Sequence, residues 1–287
     1  MDEPRPLAGR PAESVPPAAV RRLIAGREFR TVWRNELGGL TFEVSSGNRR
    51  DFIKWAPHGS GIDFTDEIAR LRWAASWLRV PKVIDIGTDG GTDGDTATDG
   101  GATDGGTDDR GSWMVTSGLA GDNAVSDRWR AEPRTAVTAI GKGLRALHDA
   151  LPVSRCPFSW SAGDRVADIR RRARGGLIEP GRWHREHRAL DLASALRVLD
   201  NPPPIDRLVV CHGDACAPNT LLDESGQWTG HVDLGALGVA DRWADLAVAT
   251  WSTRWNYGPG WEDTLLVAYG VEPDRRRTAY YRLLWDL

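Results

Sequence analysis

A short apolar run, Leu208-Val-Val-Cys211, leads directly into His212-Gly-Asp214-Ala-Cys-Ala-Pro-Asn219, and 14 residues beyond Asn219 a second β-rich run delivers His231-Val-Asp233-Leu-Gly235. No other feature of the 287 residues constrains the fold as much. A carboxylate follows each run, and an amide lies between them, in a part of the chain otherwise dominated by helical periodicity. Arg134 to Ala150 carries Val137, Ile140, Leu144 and Leu147 on one face, and Asp164–Arg174, Leu190–Leu199, Asp241–Ser252, Trp261–Tyr269 and Arg275–Trp285 also read as helices. Earlier in the chain, Phe42–Val44 and Phe52–Trp55 flank the polar stretch Ser45–Asp51 as a hairpin, Asp66–Leu78 is helical after Asp63 or Thr65 as a cap, and Val83–Ile86 and Trp113–Thr116 are strands. A β-rich first third followed by an α-rich remainder predicts an α+β chain in two lobes with a cleft between them. The expected boundaries are a flexible tail over 1–30, an N-lobe over 31–116, a hinge over 117–121 and a C-lobe over 122–287.

Within the N-lobe, 88–109 is a low-complexity insert in which Thr-Asp-Gly recurs four times. Its repeats lack the apolar position of a calcium-binding β-helix, so a solvated loop is expected. Hydrophobic residues make up 40% of the chain, enough for an ordinary core, and the net charge of −3 gives no hint of a nucleic-acid or membrane partner. No apolar run has the length of a membrane span, and the Pro/Ala-rich beginning lacks a signal-peptide core, so a cytoplasmic protein is expected. Cys156, Cys211 and Cys216 form neither a disulfide framework nor a zinc pattern, and are expected as reduced, mostly buried thiols.

The chemistry follows from the residue types. Phosphoryl transfer needs a carboxylate to take a hydroxyl proton and oxygen ligands for Mg²⁺. Asp214 is the candidate base, and Asn219 with Asp233 suffices chemically for magnesium, which favours one or two carboxylates plus phosphate oxygens and water. His212 is expected to brace the loop. Only Lys54, Lys82 and Lys142 are lysines in an arginine-rich chain, and lysine is the better point charge for a phosphate. Lys54 ends a strand, with Glu67 thirteen residues later on the following helix as its partner. Gly38 and Gly39 are candidates to cover the phosphates through their backbone N–H groups.

The spacing H-x-D-x-x-x-x-N followed by D-x-G matches the protein-kinase catalytic loop. Val210–Asn219 and Val232–Ala247, with Cys156-Pro-Phe158 and Ala279–Leu284, resemble the aminoglycoside O-phosphotransferases, the 3′ and 3″ groups in particular, over roughly 35–287 apart from the insert. The resemblance implies a bilobal protein-kinase-like fold and ATP- and Mg²⁺-dependent phosphorylation of a 3′ or 3″ hydroxyl on an aminoglycoside, conferring resistance. It implies that Lys54 and Glu67 serve the phosphates, that Asp214 is the base, that Asn219 and Asp233 are the metal ligands, and that the backbone of Ser117 to Leu119 binds adenine. Two other functions fit these residues: a kinase for another small hydroxylated compound, and a nucleotide-binding pseudokinase. The acceptor side departs from the family's pattern. Ala236 and Trp251 stand where arginines are common, and the chain ends Trp285-Asp286-Leu287 where the 3′ group carries two acidic residues and then aromatics. A polycationic acceptor calls for uncommitted carboxylates, and the candidates are Glu186, Glu262, Asp286 and the terminal carboxylate of Leu287.

Overall fold

The computed structural model describes residues 14–89 and 110–287. Most of the 88–109 insert, and with it the expectation of a solvated loop there, lies outside the described residues. The described residues divide into two compact units, one formed by 14–68 with 81–118, the other by 69–80 with 119–287.

The first unit is a five-stranded antiparallel sheet over one helix. Helix α1 (Ala18–Ile24) is followed by β1 (Glu28–Arg34), β2 (Leu40–Ser46), β3 (Arg49–Pro57), β4 (Val83–Thr88) and β5 (Gly111–Ser117), ordered β1-β2-β3-β5-β4. Alternation decides which face is buried: Leu40, Phe42 and Val44 from β2 and Ile53 and Trp55 from β3 point into one core, where Val20 and Ile24 of α1 meet them. For residues 18–30 this corrects the expectation of a flexible tail. Ala19, Val20, Leu23 and Ile24 give α1 an apolar stripe at helical spacing, and that stripe covers the sheet.

Helix α2 (Thr65–Ala74) begins in the first unit and ends in the second. Its last turns, expected within the N-lobe, belong to the second unit because of what they bury. Leu71 and Ala74 are inaccessible, Arg70 Nε donates to Leu237 O at 2.9 Å, and Trp73 meets Phe158 edge-on at 6.1 Å.

The rest of the second unit is mainly helical. After the short β6 (Asp122–Asn123) come α3 (Asp127–Ala131), α4 (Pro133–Ala150), α5 (Ala162–Arg174) and α6 (Leu192–Leu199). Strands β7 (Leu208–Cys211), β8 (Thr220–Leu222), β9 (Trp228–His231) and β10 (Gly238–Asp241) then precede α7 (Trp243–Tyr257), α8 (Glu262–Tyr269) and α9 (Arg275–Asp286). Two small antiparallel sheets, β10-β7 and β6-β8-β9, sit among these helices. Every residue of α7 from Trp243 to Thr253 is buried, so this helix is the spine of the unit; α4 contributes Val137, Ile140 and Leu144 to the same core. Among the described residues no helix is long and apolar enough to cross a membrane. All three cysteines are free thiols, with Cys211 and Cys216 buried and Cys156 half-buried.

Candidate active site

The segment between β7 and β8 is held as a rigid loop by its own backbone. Gly213 has φ +85°, and a Cβ there would lie 2.2 Å from Ala236 O, so only glycine allows the His-Gly-Asp turn to lie against the segment after Asp233. His212 Nε2 pairs with Val232 O at 2.9 Å, and Val232 N donates to Asn219 O at 3.0 Å. These two contacts, one from each end of the loop, bring Asp233 beside Asn219. Asn219 Nδ2 donates to Asp214 O at 3.0 Å and to Asp214 Oδ2 at 3.2 Å. The other carboxylate oxygen, Asp214 Oδ1, is buried with no hydrogen-bond partner among the described residues. A buried orphan oxygen is rare in a folded protein, and a donor brought by a ligand would satisfy it.

Asp233 is exposed and sits at φ 66°, ψ 50°, left-handed backbone that few non-glycine residues adopt. This backbone conformation leads the chain off the end of β9 into a short 3₁₀ turn, Leu234–Ala236. With Asn219 Nδ2 directed to Asp214, the amide's Oδ1 is the atom left for a cation. An amide oxygen and an exposed carboxylate are hard ligands that suit Mg²⁺.

In the first unit, Lys54 on β3 contacts both oxygens of Glu67 on α2, at 2.7 and 2.8 Å. Lys54 lies opposite Thr41 and Met114 in the sheet. Asp63 Oδ1 accepts from Thr65 N at 2.8 Å, which starts α2 where Glu67 falls in its first turn. The two glycines behave differently from expectation. Gly38 N donates to Asn35 O and Gly39 N to Asn35 Oδ1, so these amides close the β1–β2 turn and are not left for phosphates. Ser117 is likewise engaged: its N–H donates to Lys82 O, and its hydroxyl accepts from Lys82 N, each at 2.9 Å. Leu119 belongs to the other unit and is buried.

The acceptor candidates differ most from expectation. Asp286 has a fully buried side chain; its Oδ2 accepts from His184 N at 2.7 Å and pairs with His187 Nδ1 at 2.8 Å. Arg172 donates to Leu287 O. Glu186 meets Arg254 at 3.3 Å and Arg282 at 3.7 Å, and Glu262 meets Arg254 at 3.4 Å. None of the four is uncommitted, because histidine and arginine side chains from α5, α7, α9 and the 184–187 loop converge on them. Trp251, Trp255 and Trp285 form a mutual cluster with centroids 5.0 to 6.1 Å apart, and His184 lies 4.4 Å from Trp251. Burial lowers the pKa of His184, which favours its neutral form in this aromatic setting.

A model of the phosphotransferase enzyme family matches residues 19–281. The chain belongs to that family. Among curated relatives, the aminoglycoside 3′-phosphotransferase of Streptomyces fradiae is 31% identical over 93% of this chain and 97% of its own. The streptomycin 3″-kinase of Streptomyces griseus is 29% identical over 89% and 90%. Of solved structures, a type VIII aminoglycoside-3′-phosphotransferase superimposes with a TM-score of 0.73 at 30% identity, covering 93% of this chain and 95% of that one. An aminoglycoside phosphotransferase from Streptomyces rimosus in complex with ADP and streptomycin gives 0.67 at 25%, covering 93% and 96%. The kinase-like α+β fold implied by the sequence is therefore the fold of this phosphotransferase.

Two residues that position the 212–219 loop of this phosphotransferase were missed by sequence reasoning. Asp245, fully buried on α7, accepts from His212 N at 2.6 Å and Gly213 N at 2.9 Å, and pairs with His148 Nε2 at 2.9 Å. Burial pushes its pKa up, but the His148 hydrogen bond and charge, aided by the loop N–H groups, outweigh this and hold the carboxyl below its usual range. Two turns on, the hydroxyl of the buried Ser252 accepts from Ala217 N at 2.9 Å. The available signal was the i, i+7 spacing of Asp245 and Ser252 on one face of a buried helix. His148, Cys211 and Asp245 also lie close enough to share a metal ion, but their ligand atoms are engaged with one another, Tyr269 and the loop backbone.

Proposed function

We propose that this phosphotransferase moves the γ-phosphoryl group of ATP to a 3′ or 3″ hydroxyl of an aminoglycoside, an activity that would confer resistance. The observation that carries this is Asp214, whose orphaned Oδ1 stands on a loop fixed to Asn219, Val232, Asp245 and Ser252. In the proposed reaction Asp214 accepts the hydroxyl proton as the oxygen–phosphorus bond forms, and the γ-phosphate parts from ADP. Asn219 and Asp233 would hold Mg²⁺, which when bound neutralises phosphate charge. Lys54, oriented by Glu67, holds the α- and β-phosphates as a point charge. Use of ATP implies a cytoplasmic setting. The roles rest on the match between this geometry and what phosphoryl transfer needs, positioning plus electrostatic stabilisation.

Asp214→Asn keeps the shape and loses the proton acceptor. It should lower kcat by about 10²- to 10⁴-fold while ATP affinity stays within about twofold. Turnover within tenfold of wild type would remove Asp214 from the role. A second proposal, phosphorylation of a different hydroxyl-rich compound, draws support from the acceptor face, where each candidate carboxylate already has an internal partner.

A further inference from the structure

Arg254 lies in the last turn of α7, two residues beyond Ser252 and therefore on a different face of the helix from the side chain that holds the 212–219 loop. Its guanidinium lies between two carboxylates, with Nη1 3.3 Å from Glu186 Oε1 and Nε 3.4 Å from Glu262 Oε1. These residues come from three separate segments: the loop before α6, the last turn of α7 and the first turn of α8. We infer that Arg254 is a specificity-determining residue, holding the place between Glu186 and Glu262 that a cationic group of the acceptor would otherwise take. The inference rests on the acceptor class proposed above.

Three observations support it. Asp286 and Leu287 are committed elsewhere, so Glu186 and Glu262 are the acceptor candidates that keep exposed carboxylates, 32% and 27% accessible. Both pairs are longer than a tight charge-assisted hydrogen bond, and Arg254 is 30% exposed; such pairs are weak and open to displacement. Glu186 and Glu262 also line, with Thr250, Tyr280 and Arg282, a cavity of about 920 Å³, so both carboxylates border open space; Arg254 and Asp214 are not among its walls. Arg282, mostly buried, approaches Glu186 Oε2 at 3.7 Å and lies over Trp251 at 5.5 Å, so Glu186 keeps a cationic partner if Arg254 leaves. Arg254 sits in the last turn of α7, where the helix dipole favours a cation even without a carboxylate partner. An acceptor ammonium would therefore exchange with a side chain that has somewhere else to go.

The test uses the full chain with Arg254→Gln, which removes the charge and suits a helix, and Arg254→Lys, which keeps the charge. KM is measured for ATP and for a series of aminoglycosides of increasing cationic charge. Arg254→Gln is expected to lower acceptor KM by about 2- to 5-fold for the most highly charged members and little for the least charged. The gain should shrink with added salt and vanish when Glu186→Gln is combined with it. KM for ATP and the Arg254→Lys values should stay near wild type. An unchanged KM, or one raised alike for every acceptor, would show that Arg254 only ties the loop to the helices and would overturn the inference. Should the wild type phosphorylate no aminoglycoside, the proposed acceptor class fails, and this inference fails with it. If the wild type is active and only the Arg254 result fails, the acceptor class stands.

Discussion

The loop proposed to carry catalysis and the face proposed to meet the acceptor lie in the same unit, supported by the same helix, yet they are built in opposite ways. Between Val210 and Leu237 the critical contacts are made by backbone groups: Gly213 against Ala236, Val232 to Asn219, Asp245 to two loop N–H groups. Asp214 is left with one carboxylate oxygen that no group of the described residues uses. On the acceptor face side chains bind side chains: Asp286 with His187, Glu186 with Arg254 and Arg282, Trp251 with Trp255 and Trp285. A loop fixed by backbone tolerates few sequences and announces itself by spacing. A surface fixed by long side chains can be rewired by single substitutions, and its residues say little until their neighbours are known.

That contrast can be broken most severely at Asp233. Asp233→Ala should cut Mg²⁺-dependent ATP turnover by at least about 10³-fold, since a principal anionic ligand for the metal is lost. Steady-state rates across a magnesium titration check this, and a variant restored by high magnesium to wild-type kcat would deny the carboxylate its role. Next comes Asp245→Ala, which strands two buried loop N–H groups and His148. Chemical denaturation should show a loss of about 3–5 kcal/mol, with a fall in kcat exceeding any change in either KM. If stability drops and kcat per folded molecule does not, α7 holds the fold but not the catalytic geometry.

Asp286→Asn addresses the other side. Because Asp286 is buried against His184 N and His187, the substitution should lower stability by about 1–3 kcal/mol and leave the ratio of antibiotic to ATP KM unchanged. A selective rise in antibiotic KM would return Asp286 to the acceptor site. The smallest effect concerns acid. Burial holds the His231 pKa down to about 3 from 6.5, so the unfolded chain takes up a proton there that the folded chain refuses. Stability from this group is complete above pH 6.5 and declines as pH falls toward 3, by about 1.4 kcal/mol at pH 5.5. Urea melts at pH 7 and pH 5.5 should show that difference in the wild type and a smaller one in His231→Gln; equal differences would mean the ring is protonated in the fold.

What was legible in the sequence follows the same division. The catalytic loop with its two carboxylates was readable because residues five and fourteen apart become neighbours through one turn and one hairpin, β8–β9. The helices of the second unit were readable from apolar periodicity, α4 most plainly. α1 was obscured by the Pro-rich stretch before it, and the short β8 and β10 by their brevity. The state of Glu186, Glu262 and Asp286 was not readable at all. Whether a carboxylate is free depends on arginines and histidines up to about 100 residues away, such as His187 for Asp286 across 99 positions. The amides of Gly38 and Gly39 were misjudged for a related reason: Asn35 takes both, Gly38 N through its backbone carbonyl and Gly39 N through a side chain whose orientation spacing does not reveal.

The central claim is transfer of phosphate from ATP to one particular hydroxyl. Mass spectrometry of purified protein incubated with ATP, magnesium and matched aminoglycosides, with and without the 3′ or 3″ hydroxyl, tests it most directly. The account predicts gain of one phosphoryl group on acceptors that bear the hydroxyl and none on the corresponding deoxy compounds. ATP consumption with no phosphorylated aminoglycoside, or equal phosphorylation of the deoxy compounds, would contradict it.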